Sequence, residues 1–248
     1  MKIMPALTEV KRIASDTKYN VLPVSLELLS DFTTPIETIR ILKNVSTHCY
    51  LLESAQANET WGRYTFLGFD PKLEITCING EMKIGNLKVN TEHPSDYLRQ
   101  ILADYKSPRF DYLPSFTGGL VGYFSYDYLG YSEPSVKCDV EDTEHFKDID
   151  LMLFDKVIAF DHLRQKIILI VNMPLTDVEV GYNKAVMELK QLAERSKKKS
   201  TAGRSKAPGT SHAKRQLAFG KSAQKRRYSF ICECKFPMVR SSAQLLSS

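Results

Sequence analysis

Residues 151–171 read LMLFDKVIAFDHLRQKIILIV and set the class of the sheet. Two apolar runs, 151–160 and 167–171, flank the polar connection 161–165. A connection of about five residues suits a hairpin, because a parallel crossover needs a dozen residues or more. The stretch therefore predicts a pair of antiparallel strands.

A second hairpin is predicted upstream. Apolar and more polar residues alternate over 73–78, and the alternation resumes over 82–84. Between them, Asn79-Gly80 supplies the two residues that a tight turn with positive φ requires. Residues 47–53 also read as a mostly buried strand.

Three helices are predicted around these strands. Thr34 caps the first, with Glu37 completing a capping box and Pro35 at the first helical position. Apolar residues at helical spacing mark two more, at about 95–105 and 177–193. Hairpins with peripheral helices indicate an α+β body rather than a doubly wound sheet.

The charge of the chain changes abruptly near Arg195. Residues 195–248 hold 14 Lys and Arg and one acid, Glu233, whereas the rest of the chain holds 20 basic and 28 acidic residues. A segment with one sign of charge and no apolar periodicity does not bury a core. We therefore expect a folded acidic domain over 1–194 and a basic, disordered tail over 195–248.

Composition and cysteine usage indicate a cytoplasmic protein. The chain is 43% apolar and 25% charged, and it has no run of about 18 apolar residues, so we expect no membrane span. Charged residues interrupt the start of the chain, unlike a secretory signal. The five cysteines are scattered, which favours reduced thiols, and we expect no metal at Cys232 and Cys234.

Two segments carry unusual residues, although neither forms a catalytic set. Residues 116–127 hold three glycines within five positions, followed by aromatic residues. This pattern predicts close backbone packing at a turn-to-helix junction, and a direct ligand role is the alternative. Residues 51–55 end a strand with Glu53 and Ser54. The five histidines lie far apart in the sequence, so the residues themselves predict no catalytic or metal-binding constellation.

Together these segments resemble the N-terminal part of anthranilate synthase component I, a family of chorismate-utilising enzymes. The resemblance runs from about Pro23 to Ala193 and rests on five motifs in the family's order and spacing. They are PVSLELL at 23–29, LLESA at 51–55, GRYTFLGFDP at 62–71, GGLVGYFSYD at 118–127 and DLMLFD at 150–155. The related 4-amino-4-deoxychorismate synthase component I shares the glycine-rich motif and is the alternative.

The resemblance implies an antiparallel β-sandwich core and a role in tryptophan biosynthesis. Members of the family are lyases that convert chorismate and ammonia to anthranilate and pyruvate with Mg²⁺, and a glutamine amidotransferase subunit delivers the ammonia. L-Tryptophan inhibits them by binding between the sheets. On this resemblance we expect Ser54, with Glu53 and Leu52, to contact the inhibitor.

The resemblance covers the regulatory part of the family's sequence and not its catalytic part. The family's chorismate and Mg²⁺ ligands lie in a C-terminal half with motifs such as Gly-Asp-Ile-Phe-Gln, which this sequence does not contain. We therefore assign no catalytic, cofactor-binding or metal-binding residue. We also expect that Mg²⁺ does not bind, that the chain is inactive by itself, and that it binds tryptophan weakly at best.

The tail allows three interpretations. The run Lys197-Lys198-Lys199 implies adenine-rich codons that favour slippage, so the first is a frame-shifted continuation, which reading the other frames of the coding DNA would test. A selected basic arm that binds nucleic acid is the second. One aromatic pair, Tyr228 and Phe230, offers little base stacking, so we expect no nucleic-acid partner. The third is that the whole chain is a free-standing regulatory or binding module, which senses tryptophan or binds the amidotransferase without catalysis.

Overall fold

A computed structural model describes residues 2–53, 62–133, 135 and 146–197, and the backbone of 229–230. The strands of these residues are β1 (Ile3–Met4), β2 (Val21–Leu29), β3 (Cys49–Glu53), β4 (Tyr64–Phe69), β5 (Leu73–Ile78), β6 (Glu81–Ile84), β7 (Leu87–Asn90), β8 (Gly119–Phe124), β9 (Ile149–Phe154), β10 (Lys156–Asp161), β11 (Lys166–Pro174) and β12 (Ser229–Phe230). The helices are α1 (Leu7–Ala14), α2 (Pro35–Leu42), α3 (Pro94–Asp104), α4 (Leu129–Ser132) and α5 (Val178–Lys197), with one turn of 3₁₀ helix at Tyr126–Tyr128.

The strands form two antiparallel sheets. Sheet I has the order β1-β2-β11-β10-β4-β3, and sheet II has the order β12-β8-β9-β5-β6-β7. Every neighbouring pair in both sheets is antiparallel. The predicted α+β class with an antiparallel core and peripheral helices is therefore confirmed.

Local sequence signals predicted a turn and a helix start correctly. Asn79 and Gly80 take positive φ between β5 and β6, and the side chain of Thr34 accepts the backbone N–H of Glu37 at the start of α2. Helices α3 and α5 lie where apolar periodicity predicts them, with α5 extending to Lys197. Turn and cap chemistry act within a few residues, so sequence reveals them directly.

The prediction of one strand over 151–160 is wrong. The run contains the end of β9 and most of β10, which belong to different sheets and are separated by Asp155. The glycine-rich segment also differs from the expected turn-to-helix junction, because Gly119 and Gly122 lie within strand β8 and the 3₁₀ turn follows it. Apolar residues continue across both breaks, so periodicity does not mark them.

Sheet I packs its outer face against helices. Side chains from β2, β4, β10 and β11 form one buried cluster with residues of α1, α2 and α5, including Val10, Leu26, Leu67, Leu169 and Leu189. The opposite face of sheet I carries a separate cluster with Phe116 at its centre, and this face looks toward the junction of the two sheets. Periodicity in the sequence did not predict strands β2 and β4 or helix α1.

Sheet II packs one face against α3 and α4. Its buried cluster includes Ile75, Met82, Leu151 and Leu98, with partly buried tyrosines of the two helices around it. None of the helices in the described part of the chain has both the length and the apolar composition that a membrane crossing needs.

The tight contact of β8 with β9 gives a first prediction. A Cβ on Gly122 would lie 2.0 Å from the carbonyl oxygen of Asp150, which is backbone and does not move aside. The substitution Gly122→Ala should therefore lower the free energy of unfolding by about 3 kcal/mol. Urea denaturation measures the change.

Gly130→Ala is the matched control, because a Cβ at Gly130 has nothing within 4 Å. Gly130 lies in α4, so alanine there should be neutral or stabilising by up to about 1 kcal/mol. Equal unfolding midpoints for the two variants would contradict the steric role of Gly122.

Candidate functional site

The predicted inhibitor strand is β3, at the edge of sheet I. Leu52 pairs with Phe66, and Glu53 pairs with Thr65. Phe66 belongs to the cluster at the junction of the sheets, so Leu52 shares that inner face. Successive strand residues point to opposite faces, so Glu53 points to the helix-covered side. Ser54 lies outside the described residues.

An aromatic cluster lies next to Leu52 on the inner face. The ring of Tyr50 is 4.7 Å from that of Phe154 at an interplanar angle of 75°, and Phe116 lies edge-on to Phe66 with centroids 5.5 Å apart. Tyr50 lies directly over Gly68, since a Cβ there would be 2.0 Å from the tyrosine ring. The cluster joins β3 and β4 of sheet I to the end of β9 in sheet II.

A corner built on Asn172 connects the two sheets. Its side-chain Nδ2 donates to the carbonyl oxygens of Thr117 at 2.6 Å and Asp155 at 3.0 Å, and its backbone N–H donates to Asp155 at 2.8 Å. Gly118 has φ +146°, and a Cβ there would lie 2.6 Å from Asn172 Nδ2. Glycine is therefore required for the amide to reach both carbonyl groups.

A cavity of about 520 Å³ opens beside this corner. Segment 107–119 forms one wall, and the ends of β9 and β11 form the other. Its lining combines apolar side chains such as Leu113 and Phe154 with polar ones such as Arg109, Asp155 and Asn172. Its volume and mixed lining are those of sites that hold small molecules.

Asp155 is the carboxylate nearest this corner. Burial raises the pKa of its carboxyl group, while the positive charges of Lys156 and Lys72 oppose that rise. Lys72 Nζ is 4.0 Å from Asp155 Oδ2, and Lys156 Nζ donates to Asp70 Oδ2 at 2.8 Å. The two lysines thus neutralise the two carboxylates.

These residues do not fit a Mg²⁺ ion. Magnesium binds to one or two carboxylates and completes an octahedron with water or other oxygen ligands, whereas Asp70 and Asp155 face ammonium groups. Across the described ranges, no group of three or more His, Cys, Asp or Glu is placed to hold a metal. We derive no catalytic step through Mg²⁺ on this chain.

Arg63 and Asp161 form a clamp where β4 begins and β10 ends. Arg63 Nε and Nη2 donate to Asp161 Oδ1 and Oδ2 at 3.0 and 2.6 Å. Asp161 also accepts the backbone N–H groups of Leu163 and Arg164, which close the turn between β10 and β11. A bidentate pair of this kind fixes geometry as well as charge.

The sequence did not reveal this clamp. Arg63 and Asp161 are 98 residues apart, and Arg63 stands directly before the aromatic Tyr64. The guanidinium does lie 4.7 Å from the Tyr64 ring. The available signal was an aspartate placed at the first position of a polar connection, where such residues bond to the following backbone.

Comparison with known proteins identifies the family of this chain. The model of the family described as chorismate binding enzyme matches residues 47–231. Anthranilate synthase component 1 of Acetivibrio thermocellus is 34% identical over 195 residues, covering 76% of this chain and 38% of that protein. The protein of the same name from Pseudomonas aeruginosa is 36% identical over 193 residues, covering 75% and 39%.

A solved structure is similar as well. Anthranilate synthase component I from Streptococcus pneumoniae TIGR4 superposes with a TM-score of 0.46 and 27% identity, covering 67% of this chain and 35% of that one.

The chain belongs to the chorismate binding enzyme family. Within it, the curated relatives confirm the resemblance to anthranilate synthase component I. The chain spans about two fifths of the length of these relatives. The assignment of Ser54, Glu53 and Leu52 to an inhibitor site stays a prediction.

The clamp gives a prediction about pH. Burial opposes ionisation of Asp161, but its bonds to Arg63 and to two backbone N–H groups outweigh burial and lower its pKa below the ordinary carboxyl range. A lowered native pKa adds stability that is complete above the ordinary pKa and is lost as the pH falls below it. Asp161→Asn should lower the free energy of unfolding by about 3 kcal/mol at neutral pH.

The difference between wild type and Asp161→Asn should shrink as the pH falls below about 4, because the unfolded wild-type chain then takes up a proton that the clamped native carboxylate still resists. Urea denaturation across a pH series measures it. The matched control is Asp70→Asn, whose exposed ion pair with Lys156 should matter by less than about 1 kcal/mol. A pH-independent difference would show that charge is not what the clamp contributes.

Proposed function

We propose that this chain is the tryptophan-sensing part of an anthranilate synthase component I and does not convert chorismate by itself. Family membership carries this proposal, since relatives of that name match about three quarters of the chain. The match covers about two fifths of the length of those proteins. By the resemblance, the family's chorismate and Mg²⁺ ligands lie in the part of those proteins that this chain does not match.

The proposed parent reaction is a lyase step of tryptophan biosynthesis. Ammonia and chorismate give anthranilate and pyruvate, and a glutamine amidotransferase subunit, component II, supplies the ammonia. The relatives are called component 1, which supports a second component as the partner. We assign no catalytic residue to this chain.

The inner face of β3 is the proposed tryptophan site. Leu52 is half-buried there, beside the aromatic cluster of Tyr50, Phe66, Phe116 and Phe154. An indole ring placed against these groups would bury apolar surface and gain edge-to-face contacts. Glu53 points away from this face, so its contribution would be through its backbone, with Ser54 following it.

The purified chain should form no anthranilate from chorismate, Mg²⁺ and ammonium. Anthranilate fluorescence measures the product, and the complete component 1 of Pseudomonas aeruginosa is the positive control. Anthranilate made without any added synthase subunit would overturn the proposal. Aminodeoxychorismate as the product of a reconstituted enzyme would instead assign the chain to the related synthase.

L-Tryptophan should bind the chain more weakly than micromolar, because the family's C-terminal half, which this chain does not match, contributes to the proposed site. Saturation-transfer difference NMR detects such binding. Leu52→Ala should reduce the tryptophan signal at least threefold, while Glu53→Gln, on the opposite face, should leave it unchanged. Equal signals from Leu52→Ala and wild type would place the ligand elsewhere, and micromolar binding would contradict the prediction that the matched part alone forms an incomplete site.

A further inference from the structure

The edge of strand β8 differs from the other edges of the two sheets. Among the described strands, β1 has two residues and β7 carries the exposed Lys88. Strand β3 ends in the exposed Glu53. Short strands and charged side chains protect a sheet edge from pairing with other chains.

Strand β8 lacks both kinds of protection. Its sequence, GLVGYF over Gly119–Phe124, has no charged residue and no proline. It pairs with β9 along all six residues, so its other side presents backbone groups that need partners. An uncharged edge of this length is a template for strand addition.

The described backbone of the basic segment lies on this edge. Ser229 is opposite Phe124 and Phe230 is opposite Tyr123, in antiparallel register. The chorismate-binding family model also extends through this point and ends at residue 231. Both observations connect 229–230 with the folded body.

The length of the connection permits this docking. The residues between Lys197 and Ser229 number 31, and an extended chain spans about 3.3 Å per residue. The connection is thus far longer than the width of a single sheet.

We propose that Ser229–Phe230 of the basic segment acts as an edge strand in cis and covers the Tyr123–Phe124 end of the exposed edge of β8. Its function is to occupy the backbone groups through which sheet II would otherwise pair with another copy of the chain. This role is separate from tryptophan sensing and from the parent reaction, so it stands or falls independently of them.

Hydrogen exchange of the full chain tests the proposal. Proline has no N–H and does not continue a strand ladder, so the double variant Ser229→Pro/Phe230→Pro should release β8. The amide of Tyr123 or Phe124 that faces away from β9 should exchange at least tenfold faster in this variant. Amides of β8 that face β9 are the internal reference and should not change.

The matched control is Ser222→Pro/Ala223→Pro, which places the same two prolines elsewhere in the basic segment. It should exchange like wild type. Equal exchange at β8 in all three proteins would overturn the proposal. Protection of β8 that rises with protein concentration would overturn it too, because the covering strand would then come from a second copy, and sedimentation velocity would detect that dimer.

Discussion

The passage of the chain from one sheet to the other within a single residue is the constraint on which this structure depends. Strands β9 and β10 flank Asp155 and belong to different sheets. Asn172 holds this crossing by bonding to Asp155 and Thr117. Gly118 has no Cβ, which leaves space for the side-chain amide of Asn172. The cavity, the aromatic cluster and the inner face of β3 all lie against this corner.

Sequence predicted the parts of the fold that short-range chemistry controls. The turn at Asn79-Gly80 and the cap at Thr34 follow from their own side chains and backbone preferences. The crossing at Asp155 was not predicted, because apolar residues continue on both sides of it and the sequence pattern shows a single apolar run. Strand β2 was not predicted either, because proline is uncommon inside a sheet. In the structure, Pro23 of β2 nevertheless lies opposite Asn172 of β11.

The candidate site was predictable as a segment but not as a surface. Adjacent positions in the motif LLESA suggest one contact group, whereas the pleat of β3 separates Leu52 from Glu53. The inner face also depends on Phe116 and Phe154, which reach it from elsewhere in the chain. Contacts between residues so far apart in the sequence depend on tertiary packing. The clamp between Arg63 and Asp161 is a further case, because nothing local to either residue names its partner.

The stacking of Tyr50 on Gly68 has a consequence for how this sheet can vary. The tyrosine ring, on the neighbouring strand, occupies the space that a side chain at position 68 would fill. The side chains at positions 50 and 68 therefore share one space, so a larger residue at 68 fits only when the residue at 50 is smaller. In related chains we expect these two positions to exchange bulk together, as a compensating pair.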